Sequence, residues 1–236
     1  MRFLIIVAGW NCEPYVNGCL ESIKAQTYKD YDVIIVDDCS TDGTYNEILK
    51  CINTSLWFVY RNEQNMGGFY NFDKWSRYST NDTVLIPFAL DDIMKPNALE
   101  LIAKEYDKGA WMTYGTYINK DGFIYQDLDY PEHIHQTRDY RKDKFRCTGL
   151  RTYYKKLYER TQVPPMDEIE RKQYYDLEYA FQLMEMCGKD RIGVIKEPIY
   201  EYNNKNPNST ANLNKFEREK YNEICKRPKK DLILQL

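Results

Sequence analysis

Short apolar runs that alternate with helical periodicity constrain the fold of this chain more than any other feature. Residues 3–7 and 31–36 are nearly continuous apolar runs, which is typical of strands buried on both faces. Apolar residues then recur at helical spacing over residues 15–23 after the first run and over residues 45–52 after the second. Because strands that alternate with helices form mostly parallel sheets with right-handed crossovers, we predict an α/β fold.

Two more strand and helix pairs are predicted in the same half of the chain. Residues 56–60 form a third, shorter apolar run, and residues 83–88 form a fourth. Pro87 lies inside the fourth run, where a proline removes one donor of the hydrogen-bond ladder. We therefore expect a bulge at this position or a strand that ends early.

The second half of the chain has a weaker pattern. Residues 119–122 predict a hairpin turn, and the polar stretch 126–146 is predicted to be a long loop that covers or completes a site. Apolar residues between positions 150 and 157 predict a short helix, and Asp176 is expected to begin a stronger one. The remaining predicted elements are two short strands at 192–195 and 199–202 and a final helix at 214–226.

Composition limits the class of protein. The chain has 236 residues, enough for one large α/β domain, and its net charge of −3 argues against a nucleic-acid partner. Seven cysteines without a CxxC pair fit a reducing compartment, so a cytoplasmic location is expected. No apolar run reaches the length of a transmembrane segment. The basic residues 226–230 could contact an anionic membrane surface peripherally, or they could be a solvated charge run.

Polar and acidic residues follow three of the predicted strands where each one ends. Gly9 and Asn11 follow the first strand, and the acidic pairs at 37–38 and 91–92 follow the second and fourth. The carboxyl ends of parallel strands meet at one edge, where open α/β sheets bind ligands. Two adjacent carboxylates repel each other unless a cation lies between them, and a divalent cation that carries a phosphate is the usual solution. Alternatively, Asp92 only caps the helix that follows.

The same segments also show which enzyme family the chain is similar to. Neither GxGxxG after the first strand nor GxxxxGK[ST] is present, which argues against dinucleotide and P-loop sites. The informative segments are residues 3–11, 13–16, 19–23, 26–28 and 33–44, Asn65 to Gly67, Asp91 and Asp92 with Pro96, and, more weakly, residues 147–152, 176, 183–186 and 202–207. Together they resemble the family 2 glycosyltransferases of the GT-A fold. The resemblance implies one domain over residues 1–236, with a nucleotide-sugar-binding half at 1–118 and an acceptor-side half at 119–236.

The resemblance implies a role for each residue in the nucleotide pocket. Asp38 would contact the uracil, with the backbone of Ala8 and Gly9 beside it, and Asp37 would shape the same pocket. The other nucleotide-binding residues implied are Asn11, Asn65, Gly67 and Asp91.

The resemblance also implies the residues that carry the chemistry. Asp91 would face the ribose and donor sugar, and Asp92, with Asp91, would bind Mn²⁺ or Mg²⁺ on the diphosphate. Asp176 would take the proton from the acceptor hydroxyl as general base; without the resemblance, a helix cap is the simpler interpretation. The expected activity is inverting, metal-assisted transfer of a hexose from a nucleotide-diphosphate sugar, with UDP as the expected nucleotide, to a hydroxyl of a glycan or protein.

The chain departs from the family pattern at one position of the metal motif. The family often has an acidic residue two positions before Asp91, where this chain has Ala89. A further metal ligand could come from His133 or His135 in the predicted loop, although a loop histidine is more often solvated. Arg151 could bind a phosphate or anchor the acceptor-side helix.

The two alternative functions are a sugar-phosphate nucleotidyltransferase and a catalytically inactive binding module. A sugar-phosphate nucleotidyltransferase would need a glycine-rich, basic loop after the first strand, which residues 9–13 do not provide. A catalytically inactive GT-A-like module would bind a nucleotide or sugar without transferring it. The intact Asp92 and Asp176 argue against this second alternative.

Overall fold

The computed structural model describes residues 1–52, 57–162, 175–208 and 218–236, without the side chains of 218–220. The strands are β1 (Phe3–Gly9), β2 (Tyr31–Asp37), β3 (Trp57–Arg61), β4 (Val84–Ala89), β5 (Ile93–Met94), β6 (Met112–Asn119), β7 (Thr152–Tyr154) and β8 (Ile192–Tyr202). The helices are α1 (Val16–Lys24), α2 (Thr44–Cys51), α3 (Gly68–Ser76), α4 (Ala98–Asp107), α5 (Glu132–Thr137), α6 (Lys155–Tyr158), α7 (Tyr175–Cys187) and α8 (Arg218–Cys225). Short 3₁₀ helices lie at Tyr140–Lys142 and Lys189–Arg191.

The strands form one sheet in the order β3-β2-β1-β4-β7-β6-β8-β5. β1 is parallel to β2 and β4, and β2 is parallel to β3, as the alternating pattern predicted. In the second half, β6 and β8 are parallel, whereas β7 is antiparallel to β4 and β6, and β5 is antiparallel to β8. The α/β fold class predicted from the sequence is confirmed.

Each face of the sheet carries its own hydrophobic core. In β1, Leu4 and Ile6 pack on one face with residues of α3 and α7, while Phe3, Ile5 and Val7 pack on the other with residues of α1 and α4. This alternation follows from the pleat of a strand, which points successive side chains to opposite faces. Because both faces are covered, β1 is apolar at every position from Phe3 to Val7.

Pro87 lies in an uninterrupted strand, so the expected bulge or early end is wrong. Pro87 is opposite Ile6 in the β1–β4 ladder, which continues to Ala89. The N–H groups of Val84 and Leu90 point toward β1, where they donate to Arg2 and Ala8. Because successive backbone groups alternate between the two sides of a strand, the nitrogen of an odd-numbered residue such as Pro87 faces β7. β7 pairs only with Val84 and Leu85, so no ladder bond is lost.

Three other predictions in the second half are corrected. The stretch 126–146 is not a continuous loop, since it contains α5, in which only Ile134 is buried, and that single position left no periodic signal. The helix predicted at 150–157 begins as β7 and becomes helical only at α6. Its pairing with β4 and β6 overrides the local pattern.

The two strands predicted at 192–195 and 199–202 are one strand, β8, with register shifts opposite Thr116. The predicted hairpin turn is present, with Gly122 at φ +81° and a single bridge between Ile118 and Ile124. Of the predicted final helix, residues 218–225 are helical as α8, and positions 214–217 lie outside the described residues, as does position 56 of the predicted third strand. None of the helices in the described ranges combines the length and apolar character needed to cross a membrane.

Candidate active site

The carboxyl ends of three parallel strands, β1, β2 and β4, form the base of the candidate site. The carbonyl of Ala8 accepts a 3.0 Å hydrogen bond from the N–H of Leu90, and the carbonyl of Gly9 accepts one of 2.9 Å from Asp38. A Cβ atom at Gly9 would lie only 2.5 Å from the Cβ of Leu90. Glycine therefore allows the ends of β1 and β4 to approach this closely.

Asp38 is buried and holds the turn that precedes α3. Its Oδ1 accepts hydrogen bonds from Asn62 Nδ2 at 2.7 Å and from the N–H of Met66 at 2.9 Å. Its Oδ2 accepts one from the N–H of Gly67 at 2.8 Å, where φ is +83°. Asn65, at the start of this segment, is exposed. Asp38 thus shapes the turn, and its contact with a uracil stays a prediction.

Asp37 and Asn11 connect the loops that follow β1 and β2. The buried Oδ2 of Asp37 lies 3.0 Å from Nε of Arg61. Asn11 has φ +51°, and its Oδ1 accepts a 2.8 Å hydrogen bond from the N–H of Thr41. Its own N–H donates to Oγ of Ser40 at 2.9 Å. These contacts fix the backbone around the predicted nucleotide pocket.

The acidic pair, Asp91 and Asp92, is held by the loop that follows β8. We call residues 203–208 the asparagine loop. Oδ1 of Asp92 accepts a 2.8 Å hydrogen bond from the N–H of Asn203, and Oδ2 of Asp91 accepts one of 2.7 Å from Nδ2 of Asn206. The alternative in which Asp92 caps the following helix is wrong, because its carboxylate binds the asparagine loop and α4 has no side-chain cap.

The two carboxylates of the acidic pair are close together and largely removed from water. Burial raises the pKa of Asp91, and burial together with the charge of Asp91 raises the pKa of Asp92 well above its usual value. Hydrogen bonds from Asn206 and Asn203, and the positive charge of Lys120, act in the opposite direction. A hard cation would stabilise the charged form of such a pair.

The donor atoms of the acidic pair fit Mn²⁺ or Mg²⁺, since both ions accept carboxylate oxygens. Across residues 1–52, 57–162, 175–208 and 218–236, no group of three or more His, Cys, Asp or Glu side chains could hold a metal ion. Metal binding by Asp91 and Asp92 stays a prediction.

Neither histidine of α5 joins the acidic pair in such a group. His133 is exposed. His135 packs against the rings of Tyr130 and Tyr140, and its Nδ1 lies 3.2 Å from the hydroxyl of Tyr140. The aromatic contacts give His135 a role in packing, and the structure provides no support for metal ligation by either residue.

Asp176 lies in the first turn of α7 and forms an ion pair with Arg151. Nη2 of Arg151 is 2.6 Å from Oδ2 of Asp176, and Nη1 donates to the carbonyl of Cys147 at 3.0 Å. Oδ1 of Asp176 accepts a 2.9 Å hydrogen bond from the N–H of Leu177. Of the two roles predicted for Arg151, the structure therefore supports the anchoring of the acceptor-side helix.

Tyr175 brings the start of α7 next to the turn held by Asp38. A Cβ atom at Gly68 would lie 2.9 Å from the hydroxyl of Tyr175. Gly68 directly follows Gly67, which donates to Asp38. Asp176, the residue after Tyr175, is therefore connected to the end of β2 through the contact of Tyr175 with Gly68 and the hydrogen bond from Gly67 to Asp38.

Three parts of the site were given no role by reasoning from the sequence. They are the asparagine loop, which contacts the acidic pair; Asn62, which binds Asp38; and Lys120, whose charge acts on the acidic pair. The asparagine loop overlaps residues 202–207, one of the weaker segments of the family resemblance, and four asparagines lie within residues 203–208. Asn62 and Lys120 carried no signal, because their positions depend on long-range contacts.

Comparisons with known proteins identify the family and the fold of the chain. The sequence model of Glycosyl transferase family 2 matches residues 4–161. Chondroitin synthase of Pasteurella multocida is 29% identical over 133 residues, which is 54% of this chain and 14% of that protein.

Two crystal structures share the fold at low sequence identity. Staphylococcus aureus TarS 1–349 in complex with UDP-GlcNAc has a TM-score of 0.70 and 18% identity, covering 95% of this chain and 64% of that one. Glucosyl-3-phosphoglycerate synthase from Mycobacterium tuberculosis, in complex with Mn²⁺, UDP and glucosyl-3-phosphoglycerate, has a TM-score of 0.61 and 13% identity, covering 86% and 72%. This chain thus spans less than two thirds of both the chondroitin synthase and the TarS fragment. The chain has the fold of these GT-A enzymes, and it belongs to glycosyl transferase family 2.

Proposed function

We propose that this domain transfers a hexose from a UDP-sugar to a hydroxyl group of a glycan or protein acceptor, with inversion at the anomeric carbon. The observation that carries the proposal is the approach of α7 to the carboxyl edge of the sheet. Tyr175, the residue before Asp176, contacts Gly68 beside the turn that Asp38 holds. A potential general base and a potential nucleotide pocket therefore share one edge of the sheet.

Different residues of this edge bind the nucleotide and accept the proton of the acceptor. The ends of β1 and β2, with the turn at Asn65 to Gly67, bind the nucleotide. Asp176 accepts the proton of the acceptor hydroxyl, whose oxygen bonds to the anomeric carbon. The bond from that carbon to the β-phosphate oxygen breaks, and its electron pair leaves with the diphosphate. One displacement of this kind inverts the anomeric configuration.

The acidic pair is the proposed site for Mn²⁺ or Mg²⁺. Bound there, either ion would offset negative charge on the departing diphosphate. Support comes from the oxygen donors of Asp91 and Asp92, and from Mn²⁺ in the synthase of Mycobacterium tuberculosis and in the mannosyltransferase PcManGT of Pyrobaculum calidifontis. We favour UDP as the nucleotide of the donor because the synthase structure is a complex with UDP and the TarS structure is a complex with UDP-GlcNAc.

The first test is nucleotide binding measured by thermal unfolding with UDP, GDP, CDP and dTDP, each with and without Mn²⁺. A ligand at a hundred times its dissociation constant stabilises a protein by roughly 2.7 kcal/mol, which is readily measured. We expect a shift with UDP that requires Mn²⁺, is lost in Asp92→Asn, and is retained in Asp107→Asn, a matched change at an exposed aspartate.

The second test is turnover with UDP-glucose, UDP-galactose and UDP-GlcNAc, with UDP release as the signal and water as the acceptor. NMR of the first sugar released should show the β-anomer from these α-linked donors. Asp176→Asn should abolish release and leave UDP binding unchanged. Release of the α-anomer would contradict inversion. Binding of UDP without release from any donor would instead favour the inactive module.

A further inference from the structure

Lys120 lies beside the asparagine loop, at the point where this loop contacts the acidic pair. The last residue of β6, Asn119, is opposite Tyr202 at the end of β8, so both strands end together. The N–H of Lys120 donates a 3.2 Å hydrogen bond to Oδ1 of Asn204. The N–H of the preceding loop residue, Asn203, donates to Asp92. One short loop thus connects Lys120 with the acidic pair.

The turn that carries Lys120 is held in a defined conformation. Oδ1 of Asn119 accepts hydrogen bonds from the N–H groups of Asp121 at 3.0 Å and Phe123 at 2.9 Å. Gly122 closes the turn at φ +81°, and its N–H donates to the carbonyl of Asn119 at 2.9 Å. Because the backbone is fixed on both sides of Lys120, the flexible side chain starts from a defined position.

The ammonium group of Lys120 is not neutralised by an acidic neighbour in the described part of the chain. Its side chain is exposed, and Nζ lies 5.3 Å above the centre of the Tyr15 ring at the start of α1. No carboxylate of these ranges is within 4.0 Å of Nζ. The adjacent carboxylate, Asp121, pairs with Lys205 and accepts a hydrogen bond from Asn204. The positive charge of Lys120 instead acts to lower the pKa of both Asp91 and Asp92.

We propose that Lys120 is a catalytic residue that binds the β-phosphate of the nucleotide-diphosphate donor. The inference rests on the proposed function of the same site. Two carboxylates and one divalent cation have no net charge, so the acidic pair with its metal leaves the negative diphosphate without a full counter-charge. A lysine ammonium supplies a compact positive charge. This charge stabilises the diphosphate most strongly as the bond to the sugar breaks, because negative charge then builds on the β-phosphate oxygen.

The experiment compares the binding of UDP and UMP in the presence of Mn²⁺ by isothermal titration calorimetry. The two nucleotides differ in the β-phosphate, so the ratio of their dissociation constants isolates that group. In Lys120→Ala we expect UDP to bind roughly tenfold more weakly or worse, as for the loss of a hydrogen bond to a charged group. UMP should bind as in the wild type. Lys120→Arg, which keeps the charge, should recover most of the affinity.

Lys196→Ala is the matched control, because Lys196 is an exposed lysine of β8 that pairs with Asp129. It should leave both dissociation constants unchanged. The proposal is overturned if Lys120→Ala binds UDP as tightly as the wild type, or if UMP and UDP weaken equally. If the wild type binds none of the four nucleoside diphosphates, the proposed function itself fails, and the role of Lys120 fails with it.

Discussion

Nη2 of Arg151 lies 2.6 Å from Oδ2 of Asp176, while Nη1 of the same guanidinium donates to the carbonyl of Cys147. One arginine therefore connects the segment before β7 to the first turn of α7. The side chains are 20% and 40% exposed, so the pair lies at the boundary between protein and solvent. Its geometry fixes one oxygen of the proposed base and leaves the carboxylate accessible to an acceptor.

Replacing Arg151 should reduce turnover without weakening donor binding. In Arg151→Ala, Asp176 loses its ion pair and, among the described residues, keeps the backbone hydrogen bond from Leu177, so its carboxylate is less well positioned. General-base catalysis contributes roughly 10²- to 10⁴-fold, and we expect loss of the pair to remove about tenfold or more of it. The measurement is kcat for UDP release together with the dissociation constant of UDP. An unchanged kcat in Arg151→Ala would contradict a positioning role.

Gly149 should not tolerate a side chain, and its replacement should destabilise the fold. Its φ is +75°, and a Cβ atom would lie 2.1 Å from the carbonyl oxygen of Gly115. Positive φ costs a non-glycine residue about 1–2 kcal/mol, and overpacking adds about 1–3 kcal/mol. Gly149→Ala should therefore lower the free energy of unfolding by about 2–5 kcal/mol in urea titrations.

Gly109→Ala separates the two causes. Gly109 has φ +100°, and apart from its own chain neighbours no atom of the described residues lies within 4 Å of the position that a Cβ would take, so only the conformational cost of about 1–2 kcal/mol applies. Equal losses of stability in the two variants would show that the contact with Gly115 is relieved by movement of the backbone.

The sequence was sufficient to predict the sheet edge because its determinants are local. The apolar run before Asp38 forms β2, and parallel neighbours place that residue beside Gly9. The acidic pair is predictable for the same reason, since it follows β4. In each case, the acidic residues directly follow the apolar run that forms the strand.

Other parts of the site depend on contacts between distant residues. Asn206 binds Asp91 across 115 positions, and Asn203 binds Asp92 across 111. No periodic pattern records such a pairing. β7 was missed for a related reason, because three residues become a strand only where Leu85 and Met112 supply backbone partners. Local propensity therefore predicted a helix.

His135 should make stability depend on pH between its lowered pKa and about 6.5, the usual histidine value. Burial, and then the charge of Lys189, lowers the pKa of His135 in the folded protein. The unfolded chain therefore binds more protons in this range, so stability falls as the pH falls through it. In urea titrations, the stability advantage of the wild type over His135→Gln should be smaller at about pH 5 than at about pH 7.5.

His133→Gln is the control for this pH effect. His133 is the other histidine of the chain and is exposed. Its replacement controls for the change from histidine to glutamine and should change the free energy of unfolding by at most about 0.5 kcal/mol. The same difference in stability between the wild type and His135→Gln at both pH values would contradict the explanation.

Arg141 should be among the most costly positions to change, because it forms ion pairs with two buried carboxylates of α7, one of which also pairs with Arg227. Its guanidinium lies 2.6 Å from Glu185 and 3.1 Å from Glu178, and the three side chains are at most 4% exposed. Removing one partner of a buried ion pair costs about 3–5 kcal/mol, so Arg141→Met should lower the free energy of unfolding by that amount in urea titrations. The exposed pair of Arg77 and Asp73 is the control, and Arg77→Met should cost at most about 1 kcal/mol. Similar losses in both variants would contradict a special role for the buried charges.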